Sequence, residues 1–400
     1  MKFCIQYSFR FAGSKSFYVK AEKKPNVLFL TSISPFPING GEKLRSYALL
    51  KMLSNIGARV TAIINESHNI PDIHNIRFIL FPFKNYLSKI HLINITGIFR
   101  RNNTLVKLLD ELTSDEKFDI AFIDYYFYGQ YIPYFKKKGI KVIYGTHNAE
   151  ARLYLQRKAK NLKDLFYIVF EYIIQMAHER IFFPKTDTLI AVSKEDVKYY
   201  GKFIESGKII YIPNLLEKSS YTLNAVKKDN YIVMSANFMA FQNYVGLEWF
   251  LKEVWNDLLS RKTTLKLFGL GSKKAYHELQ PKYHPESVEA IGEVDDLKPY
   301  IAAARASIVP LLNGSGTRLK CLEAMALRTQ LISTTKGSEG IEHGGSVLIA
   351  DTPEDFRNRI IEVIDNKVNT VEDAYRVFEA RYSFEPNQIV LSERIKSLID

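Results

Sequence analysis

Two cysteines stand in 400 residues, Cys4 and Cys321, far apart in the chain. They are too few and too distant for a disulfide framework or a thiolate metal site, and they fit a reducing compartment. The sequence also lacks a long hydrophobic run. Its most apolar window, Leu165–Ala177, contains Glu171 and is bounded by Lys163-Asp164 and His178-Glu179-Arg180. A span needs about 20 apolar residues, so this window reads as a buried or half-buried helix. No apolar core followed by a small-residue cleavage site opens the chain, so a signal peptide is not expected. Metal-ligand spacing, low-complexity tracts and internal repeats are missing too. Neither a Walker A loop nor a G-x-G-x-x-G is present. These absences exclude disulfide scaffolds, helical membrane proteins and the common nucleotide fingerprints, and they lead to an expectation of a cytoplasmic protein.

What remains is globular. Apolar residues make up 46% of the chain, and its length suits two domains. The net charge of +12 suits an anionic partner. The basic residues are scattered and no nucleic-acid module appears, so nucleic acid is not expected as that partner.

Met1–Lys24 is basic and aromatic and reads as an extension outside the fold. Asn26–Thr31 is a strand apolar on both faces, as in a parallel sheet. A loop with Gly40-Gly41 follows, then a helix from Glu42 with Leu49, Met52, Leu53 and Ile56 on one face. Gly57 ends it, and Arg59–Ile64 is the next strand. This β-loop-α-β unit points to a doubly wound α/β domain. Residues 71–103 have no clear pattern. Within them, Phe83–Asn103 interleaves apolar residues with Lys84, Lys89, Arg100 and Arg101. That pattern fits a surface helix of the sheet, which we prefer, and also a segment lying on an anionic membrane. Phe118–Asp124 and Lys141–Tyr144 are further strands, and the latter leads to His147 at a strand end. Leu162–Phe183 is a long helix, Thr186–Val192 a strand, Ser193–Asp196 a capping box, and Ile209–Pro213 the last strand of this half. The polar stretch 214–230 reads as a linker. Tyr231–Ser235 starts a second domain. It continues with a helix Gly246–Leu259, strands Leu265–Phe268 and Val288–Ile291, a strand Val347–Ala350, a capped helix after Thr352, and a final helix Phe384–Ile399.

The most informative stretch is Ala302–Ala326. Ser307–Pro310 reads as a buried strand, Asn313–Thr317 as a small-residue loop, and Arg318–Ala326 as a helix. A strand, a glycine loop and a helix start make an anion site, because the first helical N–H groups lack partners and the dipole favours negative charge. The same pattern also fits a plain connection with Thr317 as N-cap. Arg318 and Lys320 place positive charge where the bare dipole disfavours it. Glu323 lies roughly 9 Å beyond Thr317, about the span from a diphosphate to a ribose.

GSGTRLKCLEAMA, followed by LIST and TKGSEGI, resembles the donor-binding signature of retaining family 4 glycosyltransferases, which have the GT-B fold. P-x-x-G-G-E before Arg45 and the string HNAEARLY are similar to that family's N-terminal signatures. The resemblance covers nearly all of residues 26–400. It implies two Rossmann-like doubly wound domains facing a central cleft, with the C-terminal helix crossing back to the first. The domains are then 25–213, together with the terminal helix 384–400, and 231–383, joined by linker 214–230.

By the same resemblance, His147 and Glu323 are the catalytic residues. His147 hydrogen-bonds a sugar hydroxyl and Glu323 holds the ribose. Gly40, Gly41, Ser235, Asn237, Ser315, Gly316, Thr317, Arg318 and Lys320 line the donor, and the backbone around Gly292 and Val294 reads the base. Two departures stand out. Ser315 replaces the family's first Glu, which leaves the transferred sugar open. The Gly-Arg and Lys that usually follow the Tyr231–Ser235 strand are missing, so Arg318 and Lys320 are expected to supply that charge. No metal and no separate cofactor are expected. The donor substrate is a UDP- or GDP-linked sugar, and the acceptor a sugar or lipid-linked glycan of a lipopolysaccharide or capsule; in the membrane alternative for residues 83–103, that stretch is the peripheral contact at the inner face of the cytoplasmic membrane. A GT-B-fold sugar-nucleotide epimerase and a catalytically degenerate nucleotide-sugar binder are the alternatives.

Overall fold

The structure, a computed structural model, describes residues 24–38, 40–67, 69–83, 99–125, 128–155, 159, 161–223, 226–313 and 318–400. The expected N-terminal extension, apart from Lys24, and residues 84–98 of the expected peripheral contact lie outside the described residues. The first half builds a sheet from β1 (Asn26–Leu30), β2 (Arg59–Ile64), β3 (Ile76–Leu80), β4 (Ile120–Asp124), β5 (Lys141–Gly145), β6 (Thr188–Ala191) and β7 (Ile209–Tyr211). Their order is β3-β2-β1-β4-β5-β6-β7, and every pairing is parallel. The second half builds a sheet from β8 (Tyr231–Ser235), β9 (Thr264–Phe268), β10 (Val288–Gly292), β11 (Ala306–Val309), β12 (Gln330–Ser333) and β13 (Leu348–Ile349), again all parallel, in the order β10-β9-β8-β11-β12-β13. The chain is therefore α/β with two doubly wound, Rossmann-like sheets.

In both sheets the strand order reverses once, between β1 and β4 and between β8 and β11. Ligands in open parallel sheets bind beyond the carboxyl ends of the strands at such a reversal. Four loops are singled out in this way: those after β1, β4, β8 and β11.

Four helices frame these loops and the surface around them: α1 (Gly41–Asn55), α2 (Leu162–Phe182), α3 (Leu319–Ala326) and α4 (Phe384–Ile399). Leu49, Met52 and Leu53 of α1 are buried against Val27 and Phe29 of β1. The terminal helix α4 adds Leu391 and Ile395 to that same core, so the chain's end returns to the first sheet. Its return is anchored by Leu216, whose N–H donates to the carbonyl of Tyr382 at 3.0 Å.

Two sequence readings are corrected. β3 lies in a stretch that showed no pattern, because it is half-exposed and carries Arg77. The helix expected over 246–259 is instead a helix at Phe241–Trp249, a π turn at Phe250–Val254, and a new helix at Asp257–Lys262 capped by Asn256. The break follows from Trp255, which takes an extended backbone and donates its indole N–H to the carbonyl of Glu286 at 2.7 Å. The apolar window Leu165–Ala177 is the half-buried alternative of its two expected forms: Leu165, Phe166, Val169 and Ile173 of α2 are exposed while Ile168, Glu171 and Gln175 are buried.

Candidate active site

On the rim of the first sheet, β4 ends at the fully buried Asp124, paired in register with Gly145 at the end of β5. Gly145 has to be small. A Cβ there would lie 3.2 Å from the Phe122 ring and 3.3 Å from Asp124 Oδ1. Two residues on, His147 is buried, with Nε2 2.9 Å from Asp124 Oδ1 and its ring edge-on to Tyr125. The other oxygen of Asp124 accepts a hydrogen bond from Ser46 Oγ of α1. One residue earlier, Arg45 donates through Nε to the Thr146 carbonyl at 2.8 Å and through Nη1 to the carbonyls of Ile212 and Pro213. Burial pushes its guanidinium down to about 10, against the pull of Asp124. Arg45 and Ser46 thus tie the N-terminal turn of α1 to the ends of β4, β5 and β7.

Beneath His147 lies a cavity of about 10 Å³, lined in part by Glu150, Gln175, His178 and Glu179. That is room for one water and not for a sugar. Burial, reinforced by the neighbouring Glu179, pushes Glu150 up to about 8. Burial pushes Glu179 up to about 7, although it accepts hydrogen bonds from the Tyr199 hydroxyl at 2.7 Å and the Ala151 N–H at 3.2 Å.

On the rim of the second sheet, β8 ends at the buried Ser235. The carbonyl of Asn237 then accepts from Asn243 Nδ2 at 2.8 Å, and Asn243 Oδ1 accepts from Lys320 Nζ at 2.9 Å. Burial holds the Lys320 ammonium down at about 8. Arg318 points elsewhere. It is buried, donates Nη2 to the Lys336 carbonyl at 3.3 Å and lies 3.9 Å from the Glu339 carboxylate. The two cations expected to act together therefore diverge, Lys320 toward the loop after β8 and Arg318 toward the loop after β12.

Helix α3 starts at Leu319, one residue later than expected. Arg318 stands at its N-cap position without a side-chain cap. Gly314, Ser315, Gly316 and Thr317 lie outside the described residues. On the next turn of α3, Glu323 accepts a hydrogen bond from the Tyr221 hydroxyl at 3.3 Å, and Lys298 Nζ sits 5.5 Å over the Tyr221 ring. Burial pushes the Glu323 carboxyl up. At the outer end of the rim, Gly292 has a φ of +95° and its carbonyl accepts from the Gly269 N–H at 2.7 Å, while Val294 packs on a small core with Phe268 and Ile301.

The two rims meet. A Cβ on Gly41 would lie 3.2 Å from Leu319 Cδ1, so the glycine pair after β1 abuts the start of α3. Gly40 beside it has a φ of +132°, a conformation that favours glycine. Lys194 Nζ reaches Glu342 at 2.8 Å across the same seam. The structure thus gathers Gly40, Gly41, Ser235, Asn237, Lys320 and Glu323 near the sheet reversals. His147 lies on the first rim, and Gly292 and Val294 at the edge of the second. Sequence reasoning missed Asp124, Ser46, Tyr221 and Asn243. Only Asp124 carried a signal, a carboxylate closing an otherwise apolar strand.

Comparison with known proteins agrees with this fold. Residues 229–366 match the family model described as glycosyl transferases group 1. A Klebsiella pneumoniae protein called "Uncharacterized 44.6 kDa protein in cps region" is 23% identical over 378 residues, covering 88% of this chain and 94% of its own. Among solved structures, sucrose-phosphate synthase from Thermosynechococcus elongatus superposes with a TM-score of 0.68 at 15% identity, over 94% of this chain and 99% of the other. Anabaena HepE, solved in complex with UDP and glucose, gives 0.62 at 15% identity over 93% and 100%. Residues 229–366 thus match the glycosyl transferases group 1 domain, and the chain as a whole has the GT-B architecture of these solved structures.

Proposed function

We propose that the chain transfers a sugar from a nucleoside diphosphate sugar, UDP- or GDP-linked, to a hydroxyl of a glycan acceptor, with retention at the anomeric carbon. The bond from that carbon to the diphosphate breaks, a bond to the acceptor oxygen forms, and the acceptor gives up its proton. The observation that carries this reading is the placement of Lys320 and Glu323 on α3, three residues apart and opening at the reversal point of the second sheet. Negative charge builds on the leaving diphosphate in the transition state. The start of α3 and Lys320 are preorganised to receive it, while Arg318, turned toward the loop after β12, is left out of that role. Glu323 is one helical turn further on, where ribose hydroxyls would displace Tyr221 as its hydrogen-bond donor. Gly40 and Gly41 let the first rim approach the phosphates. His147 accepts a hydrogen bond from a sugar hydroxyl and is not assigned as a base.

The relative from a cps region supports a role in surface polysaccharide synthesis. The epimerase alternative needs an acid and a base in contact with the sugar. The raised carboxyls of Glu150 and Glu179 border a cavity too small for one, which favours transfer. The first experiment is thermal stabilisation by UDP, GDP, ADP and CDP, with Glu323→Ala alongside. At about a hundredfold excess over Kd a ligand of the folded state adds roughly 2.7 kcal/mol. A shift with one nucleotide that Glu323→Ala abolishes supports the donor site. No shift with any of them overturns it and leaves a degenerate protein.

A further inference from the structure

Helix α2 is turned inside out. Its inner face carries Glu171, Gln175, His178 and Glu179, all buried. Its outer face carries Leu162, Leu165, Phe166, Val169 and Ile173, each between 46% and 86% exposed. These five recur at helical spacing and form one stripe along the solvent side. Five large apolar side chains in a row on one face are a contiguous patch, not the scattered exposure normal for a soluble surface.

The rim of the stripe is basic. Lys163 at its start and Arg180 at its end are exposed. Just past the helix, Lys185 Nζ lies 5.6 Å over the Phe182 ring. The neighbouring helix Ile132–Lys137 packs on that same turn and presents the exposed Lys136 and Lys137. Asp187 neutralises Lys136, which leaves the group cationic.

We propose that α2 is a membrane-docking helix that lies in the headgroup layer of an anionic bilayer. The apolar stripe fits a burial depth of about 5–10 Å, and the flanking lysines and arginine meet anionic lipid headgroups. A second copy of the chain fits worse. Pairing two such stripes would bring two basic rims together on molecules that each carry a net charge of +12, with no exposed acidic residue along the stripe, among the described residues, to offset them. The proposal stands on the helix itself and does not depend on the transferase reading. It would hold the His147 rim against the membrane, since the inner face of α2 lines the cavity beneath His147.

The test is co-sedimentation of the full chain with vesicles of phosphatidylcholine alone and of phosphatidylcholine with roughly one-third phosphatidylglycerol. The wild type is expected to bind the anionic vesicles at least about tenfold more tightly, and high salt to weaken that binding. Phe166→Ser/Val169→Ser/Ile173→Ser is expected to lose at least about tenfold while the chain still melts cooperatively, because about half or more of each side chain faces solvent. Lys163→Ala/Arg180→Ala, a second variant, is expected to lose the preference for anionic lipid and keep residual binding. No binding by the wild type, equal binding to both vesicles, or full binding by the triple variant overturns the proposal. So does a wild-type dimer in sedimentation velocity that the triple variant turns into monomer, which would assign the stripe to a second copy.

Discussion

Nε2 of His147 lies 2.9 Å from Oδ1 of Asp124, with both side chains buried. A carboxylate accepts, so Nε2 carries the proton and Nδ1 is left as the acceptor. Ser46 Oγ occupies the other carboxylate oxygen. The imidazole is thereby fixed in one tautomer, with an acceptor nitrogen for a sugar hydroxyl.

Asp124→Asn tests that arrangement. The Asn amide donates toward Nε2 and drives the proton to Nδ1, which then presents a donor in place of an acceptor. We expect kcat/KM for transfer to fall by roughly 10–100-fold, close to the loss in His147→Ala. We expect a stability loss of only about 1–3 kcal/mol, because the site keeps its volume. Initial rates and urea denaturation of both variants check this. Full activity in Asp124→Asn with a stable fold would sink the tautomer argument.

Lys320 gives a pH signature. Burial lowers its ammonium to about 8, and Asn243 accepts one of its hydrogen bonds. A diphosphate binds the charged form, so affinity is expected to be constant below pH 8 and to fall by up to about tenfold per pH unit above it. Lys320→Arg should carry the plateau to higher pH, because a guanidinium stays charged. Lys320→Met should abolish the slope and weaken binding at neutral pH. Titration calorimetry with a nucleoside diphosphate from pH 6.5 to 9.5 reads all three; a flat wild-type profile would exclude Lys320 from diphosphate binding.

Much of this fold was legible because parallel strands buried on both faces read as unbroken apolar runs, as in NVLFL and RVTAII. β3 escaped because an edge strand half in water mixes Arg77 with its apolar residues. The orientation of α2 escaped for a different reason. Composition says how apolar a segment is, not which side faces the sheet, and here the polar residues point inward. The site divides in the same way. The residues of α3 sit together in sequence and carried a motif. The Asp124 carboxylate depends on Ser46, 78 positions away, and Lys320 on Asn243, 77 positions away, pairings that only the folded chain reveals.

Tyr221 and Glu323 separate ribose recognition from phosphate recognition. The Tyr221 hydroxyl donates to Glu323 Oε1 at 3.3 Å, a long bond that ribose hydroxyls are placed to replace. Glu323→Ala is expected to weaken a nucleoside diphosphate by roughly 10–100-fold, about 1.4–3 kcal/mol, and to leave pyrophosphate affinity unchanged. Tyr221→Phe is expected to change nucleotide affinity by less than about threefold, since the bond it removes is one the ligand would break. Equal losses for nucleotide and pyrophosphate in Glu323→Ala would mean that the residue shapes the phosphate site instead.

Glu150 and Glu179 make stability depend on pH in a direction opposite to that of a salt-bridged carboxylate. Both have folded-state values raised above 4.5, Glu150 to about 8 and Glu179 to about 7, chiefly by burial. Between pH 4.5 and 8 the folded chain therefore holds protons that the unfolded chain has released, so stability falls as pH rises through that window. The cost is absent below pH 4.5 and complete above pH 8. We expect the pair to cost on the order of 6 kcal/mol at pH 8.5 relative to pH 5. Glu150→Gln keeps the shape and the hydrogen bond with Asn148 but cannot ionise. It should match the wild type near pH 4.5 and exceed it above pH 8. Urea melts of the two proteins across this range decide the point, and parallel curves would show that Glu150 ionises freely in the folded state.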